Sequence, residues 1–165
     1  MAAITGISLS NRNSLLRSIT IGGMIIFIIQ LIHSWIVPSL IQKNPFIVVL
    51  QYIASGALGM AAFEGGIATA LLGVFFHLII SFVIAGVFIL SADHIPPLRR
   101  YPIAGSLLYG FGVFIVMNMI VTPLSATPPL PAPTIPWLTE AIIEHILAIG
   151  LPLGILVRRN ATTNN

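Results

Sequence analysis

Six polar or ionisable side chains interrupt otherwise apolar stretches of this sequence: Gln30, His33, His77, Asn118, Glu144 and His145, with Thr69, Ser81 and Thr122 as milder members. An imidazole exchanges protons near neutral pH and can ligate a metal ion or a haem iron. A carboxylate deep in an apolar run has to be protonated, paired or hydrated, because burial disfavours its charged form. Helical spacing groups these residues. Thr69, Gly73, His77 and Ser81 recur every four residues, Asn118 and Thr122 are four apart, as are Glu140 and Glu144, and Gln30 and His33 are three apart. Such spacings share one face of a helix. A charge turned toward lipid costs several kcal/mol, so the polar stripes are expected to face inward. They predict an outward-opening polar pocket lined by His33, His77, Asn118, Glu144 and His145. Adjacent helical residues diverge by about 100°, so Glu144 and His145 are not expected to point to the centre together.

The remaining acidic residues have plainer roles. Glu64, ahead of Gly65-Gly66, and Glu140, in the first turn of the last helix, suit electrostatic capping of helix N-termini. Asp93 and His94 read as turn residues. No catalytic residue is assigned and an enzyme is not the expectation. Glu140-Ala-Ile-Ile-Glu144-His145 lacks the His-Glu-x-x-His order of zinc peptidases, and no Gly-x-Ser-x-Gly elbow or Walker loop occurs. The absence of cysteine removes disulfides and thiolate chemistry. No cofactor is predicted; a divalent metal, or haem held by His77 with His33 or His145, is the chemistry the histidines leave open.

The elements that must position these groups are set by composition. Of 165 residues, 57% are hydrophobic and only 7% charged, against roughly 25% charged in soluble domains. Lipid must replace water over much of the exterior. Crossing the hydrocarbon core takes about 20 apolar residues, and four runs qualify: 19–41, 67–90, 103–121 and 137–157. The apolar run 46–63 is a further candidate. With four spans, Arg12, Arg17, Arg99, Arg100, Arg158 and Arg159 share the cytoplasmic side and only Lys43 lies outside; a fifth span would scatter them. The positive-inside rule favours four. The fold expected is all-α, a four-helix transmembrane bundle with an interfacial or re-entrant helix over 46–63. Residues 1–18 form a cytoplasmic segment, 19–157 the single transmembrane domain and 158–165 a cytoplasmic tail that frays from Asn160 to Asn165. The segment from Pro123 to Pro136 is too rich in proline for a helix and forms an extended outer loop. The basic residues mark topology and do not make a nucleic-acid surface.

Helices in lipid associate through small residues. Gly150 and Gly154 form a small-xxx-small pair with Pro152 between them; Gly105, Gly110 and Gly112 mark the third span and Gly73 the second. These glycines are the expected packing contacts, within the chain, in a homo-oligomer or with a membrane partner protein.

The strings Leu50-Gln51-Tyr52-Ile53-Ala54-Ser55-Gly56, Ala62-Phe63-Glu64-Gly65-Gly66, Leu108-Tyr109-Gly110, Met117-Asn118, Pro123-Leu124-Ser125 and Gly150-Leu151-Pro152 together resemble a group of small bacterial four-helix inner-membrane proteins with no assigned activity. The resemblance covers about 46–159. It implies the bacterial inner membrane and this topology, and no reaction. Three functional expectations follow: a structural or interaction bundle first, then a carrier or sensor of protons, metal or a small solute using the polar pocket, then a haem-binding bundle.

Overall fold

The computed structural model describes residues 9–129 and 132–163, so the ends of the terminal segments and residues 130–131 lie outside the description that follows. Among the described residues every regular element is helical. Five helical stretches are long and apolar enough to cross a membrane: Arg12–Ile41, Phe46–Phe63, Gly66–His94, Pro102–Leu124 and Ile135–Arg159.

The first stretch is α1 (Leu9–Ser34), continued by a π-helical turn at Trp35–Ile41. Helix α1 begins ten residues before the apolar run, because nothing from Leu9 to Ser18 breaks a helix. Helix α2 (Phe46–Leu58) ends in a 3-10 turn at Gly59–Phe63, where Gly59 takes a φ of 59° that a side chain would resist. Helix α3 (Gly66–His94) leads through the short α4 (Pro96–Arg100) into α5 (Pro102–Val116). Prolines 96, 97 and 102 sit in the first turns of α4 and α5, where a missing N–H costs nothing. A π turn at Met117–Val121 and the one-turn α6 (Thr122–Leu124) finish that rod. The last stretch is α7 (Ile135–Glu144), a π turn at His145–Gly150, and α8 (Leu151–Thr163). Its start is fixed by Thr134, whose hydroxyl accepts from the Trp137 amide at 3.4 Å. The tail expected to fray stays helical to Thr163.

Side-chain contacts order the rods. Gly22 of α1 lies against Ala85 and Ile89 of α3, Gly23 against Phe82, and the Phe27 ring against His77. The two helices are therefore antiparallel, and α3 starts at the end where the first rod stops. Helix α2, joined to them by short links on both sides, begins and ends at that same end. It crosses the first turns of α3: a β-carbon on Gly73 would collide with the Leu50 carbonyl, and Gln51 Nε2 donates to Gly66 O at 3.0 Å and Thr69 Oγ1 at 3.3 Å. Thr69 in turn donates to Ala62 O at 2.6 Å. The Ala126 amide donates to Gly56 O at 3.0 Å, tying the proline-rich loop down onto α2. Buried Gln51 thus closes a polar knot on one face of an otherwise apolar segment.

Helix α5 packs tightly against the last rod, at its π turn and at α8. A β-carbon on Gly110 would stand 2.5 Å from His145 O, and one on Gly150 2.5 Å from Ser106 O. Gly154 lies against Pro102, Ile103 and Ser106. Small residues four apart on both helices let the backbones touch, as helix association in lipid requires. Gly105 and Gly112 do not join this seam. Gly105 faces the Leu98 side chain of α4, and a methyl group on Gly112 would meet no heavy atom within 4 Å. Only residues a whole turn from Ser106 share its face, which selects Gly110. At the arginine-bearing end of the bundle the centre is filled by Ile26, Ala85, Phe88, Ile89, Ile149 and Leu153. The Tyr109 hydroxyl donates to Ile84 O at 2.8 Å, which satisfies its one buried polar group.

Candidate intramembrane site

Opposite that apolar half, the ionisable groups gather. Glu144 closes α7 with its side chain only 7% exposed. His145 opens the π turn, and its Nδ1 lies 2.7 Å from Glu144 Oε2 and 2.8 Å from Ala141 O. The two neighbours touch at their side-chain ends while their backbones keep ordinary helical dihedrals. Proline has no N–H to offer the carbonyl four residues back, so Pro152 leaves Ala148 O without its α-helical donor. The backbone just before it rewinds with the wider π spacing, and such turns are frequent at functional sites. The imidazole edge of His145 also packs against Phe114 of α5, ring centres 5.6 Å apart.

The second carboxylate of this face, Glu140, was expected to cap the helix. Because α7 starts at Ile135, Glu140 lies beyond the first turn. Its Oε1 instead contacts His33 Nε2 of α1 at 2.5 Å, a link spanning 107 positions in the chain. His77 of α3 lies within electrostatic reach of Glu144. Two atoms here are buried without a hydrogen-bond partner, His77 Nε2 and Glu144 Oε1. A buried unsatisfied polar atom costs about 1–3 kcal/mol, more if charged.

The pocket predicted from the stripes forms only in part. His33, Glu140 and Glu144 line a cleft of about 780 Å³ between α1 and the last rod, with Ile29, Ile143 and Leu147 as apolar walls. His77 and His145 are not among its lining residues. Asn118 is not a lining residue either; its amide donates back to Phe114 O at 3.0 Å. Exposed Glu64 makes no capping bond to the helix that Gly65 begins. Among the described residues no three His, Asp or Glu side chains are grouped to hold a metal ion. The rings of His33 and His145 are each engaged by a carboxylate.

No protein-family model, curated protein or solved structure matches this chain.

Proposed function

We propose that the chain is a small four-span membrane carrier whose binding site is linked to the protonation of Glu144. The single observation that carries this reading is the Glu144 carboxylate: 7% exposed, one oxygen on His145 and the other without a partner. A carboxylate so placed has a partner on only one oxygen, which leaves the other to take a proton or a bound ligand. Ionisable groups inside membrane bundles characteristically mark ion or substrate pathways. The groups facing Glu144 are His33 from α1, His77 from α3 and Glu140 and His145 from its own rod, while α5 contributes the apolar ring of Phe114. This row runs from the α2-bearing end to mid-bundle and stops at the Phe88–Leu153 core. Proton access is therefore from the α2-bearing side.

The four-span topology is supported by the same packing. Six arginines collect at one end, in the first turns of α1, in α4 and at the close of α8, while Lys43 lies at the other. With the arginine end cytoplasmic, both termini are inside and α2 lies across the outer face of a bacterial inner membrane. A purely structural role draws on the glycine faces, but Gly110, Gly150 and Gly154 are already filled by contacts within the chain.

Folding stability tests this reading. The midpoint of thermal unfolding in mild detergent is expected to depend on pH through Glu144. Glu144→Gln removes the titrating group and should flatten most of that dependence. Parallel pH profiles for the two proteins would contradict a proton-linked Glu144.

A further inference from the structure

The cleft between α1 and the last rod has a composition that selects its occupant. Its walls are apolar, from Ile29, Ile135, Ile143 and Leu147, and its polar residues include two carboxylates one helical turn apart. No lysine or arginine lines it. Ile143 and Leu147 are half exposed on the outer surface of the bundle. In a bilayer that rim meets acyl chains, so the mouth opens sideways into lipid. Acidic residues alone would not make a site. Here the inner carboxylate is Glu144, more than nine-tenths buried and with Oε1 unpartnered. A volume of about 780 Å³ falls within the range of small-molecule sites, roughly 300–1,000 Å³.

A hydrated inorganic cation would find few oxygen ligands against these walls. An acyl chain would match the isoleucines and leave Glu144 Oε1 without a partner. The chemistry that satisfies both is an apolar body carrying positive charge. We propose that this cleft binds a lipophilic organic cation entering from the bilayer, its charge taken by Glu140 and Glu144 and its body packed between Ile29 and the Ile143–Leu147 rim. The inference rests on the proton-linked reading of Glu144: proton and cation compete for one carboxylate. His33 from α1 shares Glu140, His77 from α3 and His145 bear on Glu144, and α5 adds only Phe114. Each binding cation would displace His33 from Glu140.

The two tryptophans of the chain provide the readout. Trp35 follows His33 by two positions, and Trp137 follows Pro136, a lining residue. Tetraphenylphosphonium added to the purified protein in nanodiscs is expected to change their fluorescence saturably. Affinity should fall by about tenfold or more in Glu144→Gln and in Glu140→Gln, as for removal of one partner of a desolvated charge pair. Tetraphenylborate, of the same shape and opposite charge, is expected not to saturate. Equal binding of the two ions, or variants that bind tetraphenylphosphonium like the parent, would overturn the proposal and leave a lipid-filled groove. If the phosphonium fails to bind while the carboxyl of Glu144 still titrates by infrared spectroscopy, the cation site falls and the proton-linked reading stands.

Discussion

Gly150→Leu is expected to prevent the chain from reaching a stable folded state in detergent or lipid. A β-carbon alone at position 150 would stand 2.5 Å from Ser106 O and 3.0 Å from Leu107 Cα, both backbone atoms that no rotamer can move. Helices α5 and α8 would have to separate along the whole seam that also includes Gly110 and Gly154. Overpacking a tight interior costs about 1–3 kcal/mol and occasionally more; here even Gly150→Ala should reach that range, and leucine should exceed it. Gly112→Ala is the contrast, because its added methyl meets nothing within 4 Å and alanine is the better helix former by up to about 1 kcal/mol. Reversible unfolding in mixed detergent micelles compares the three. Equal stability of Gly150→Ala and Gly112→Ala would show that α5 and α8 do not meet as described.

His145→Leu is expected to be the most damaging substitution at the site. Leucine keeps the contact with Phe114 but strips Glu144 of the one partner its carboxylate has. Breaking a buried pair from one side typically costs about 3–5 kcal/mol, because the charge left behind is uncompensated. Glu144→Gln removes the charge itself and should cost far less. In the double variant Glu144→Gln/His145→Leu most of the loss should return. A double-mutant cycle in the same unfolding assay near pH 8 measures the coupling. Additive losses would mean that the two side chains do not act as a pair.

Much of this arrangement is legible in the residues themselves. The long helices follow from apolar runs of about 20 residues, which few other structures accommodate. The seam through Gly150 and Gly154 follows from four-residue spacing, and the concentration of ionisable groups toward one end follows from depth along each run. Tertiary partners are another matter. Glu140 and His33 are 107 positions apart, and only the antiparallel packing of α1 and α7 joins them. Placing the helix start at Trp137 made Glu140 look like a cap; the signal for the earlier start was Thr134 followed by Pro136. The Glu144–His145 contact depends on side-chain rotamers that residue spacing does not encode, and the clue to the π turn that follows is Pro152 just downstream. Gln51 was legible as the lone amide in 46–63, but its partners Gly66 and Thr69 depend on how α2 crosses α3. Asn118 shows the opposite error: it shares the depth of the site and spends its amide on its own helix.

The central claim is that Glu144 takes and releases a proton in the folded protein. Infrared difference spectroscopy in nanodiscs measures this directly, by titrating the carbonyl stretch of a protonated carboxylic acid against the bands of its carboxylate. The expected result is a carboxylic-acid band that changes with pH in the parent protein and is absent from Glu144→Gln. A spectrum unchanged by pH, or a pH-dependent band that survives in Glu144→Gln, would contradict it.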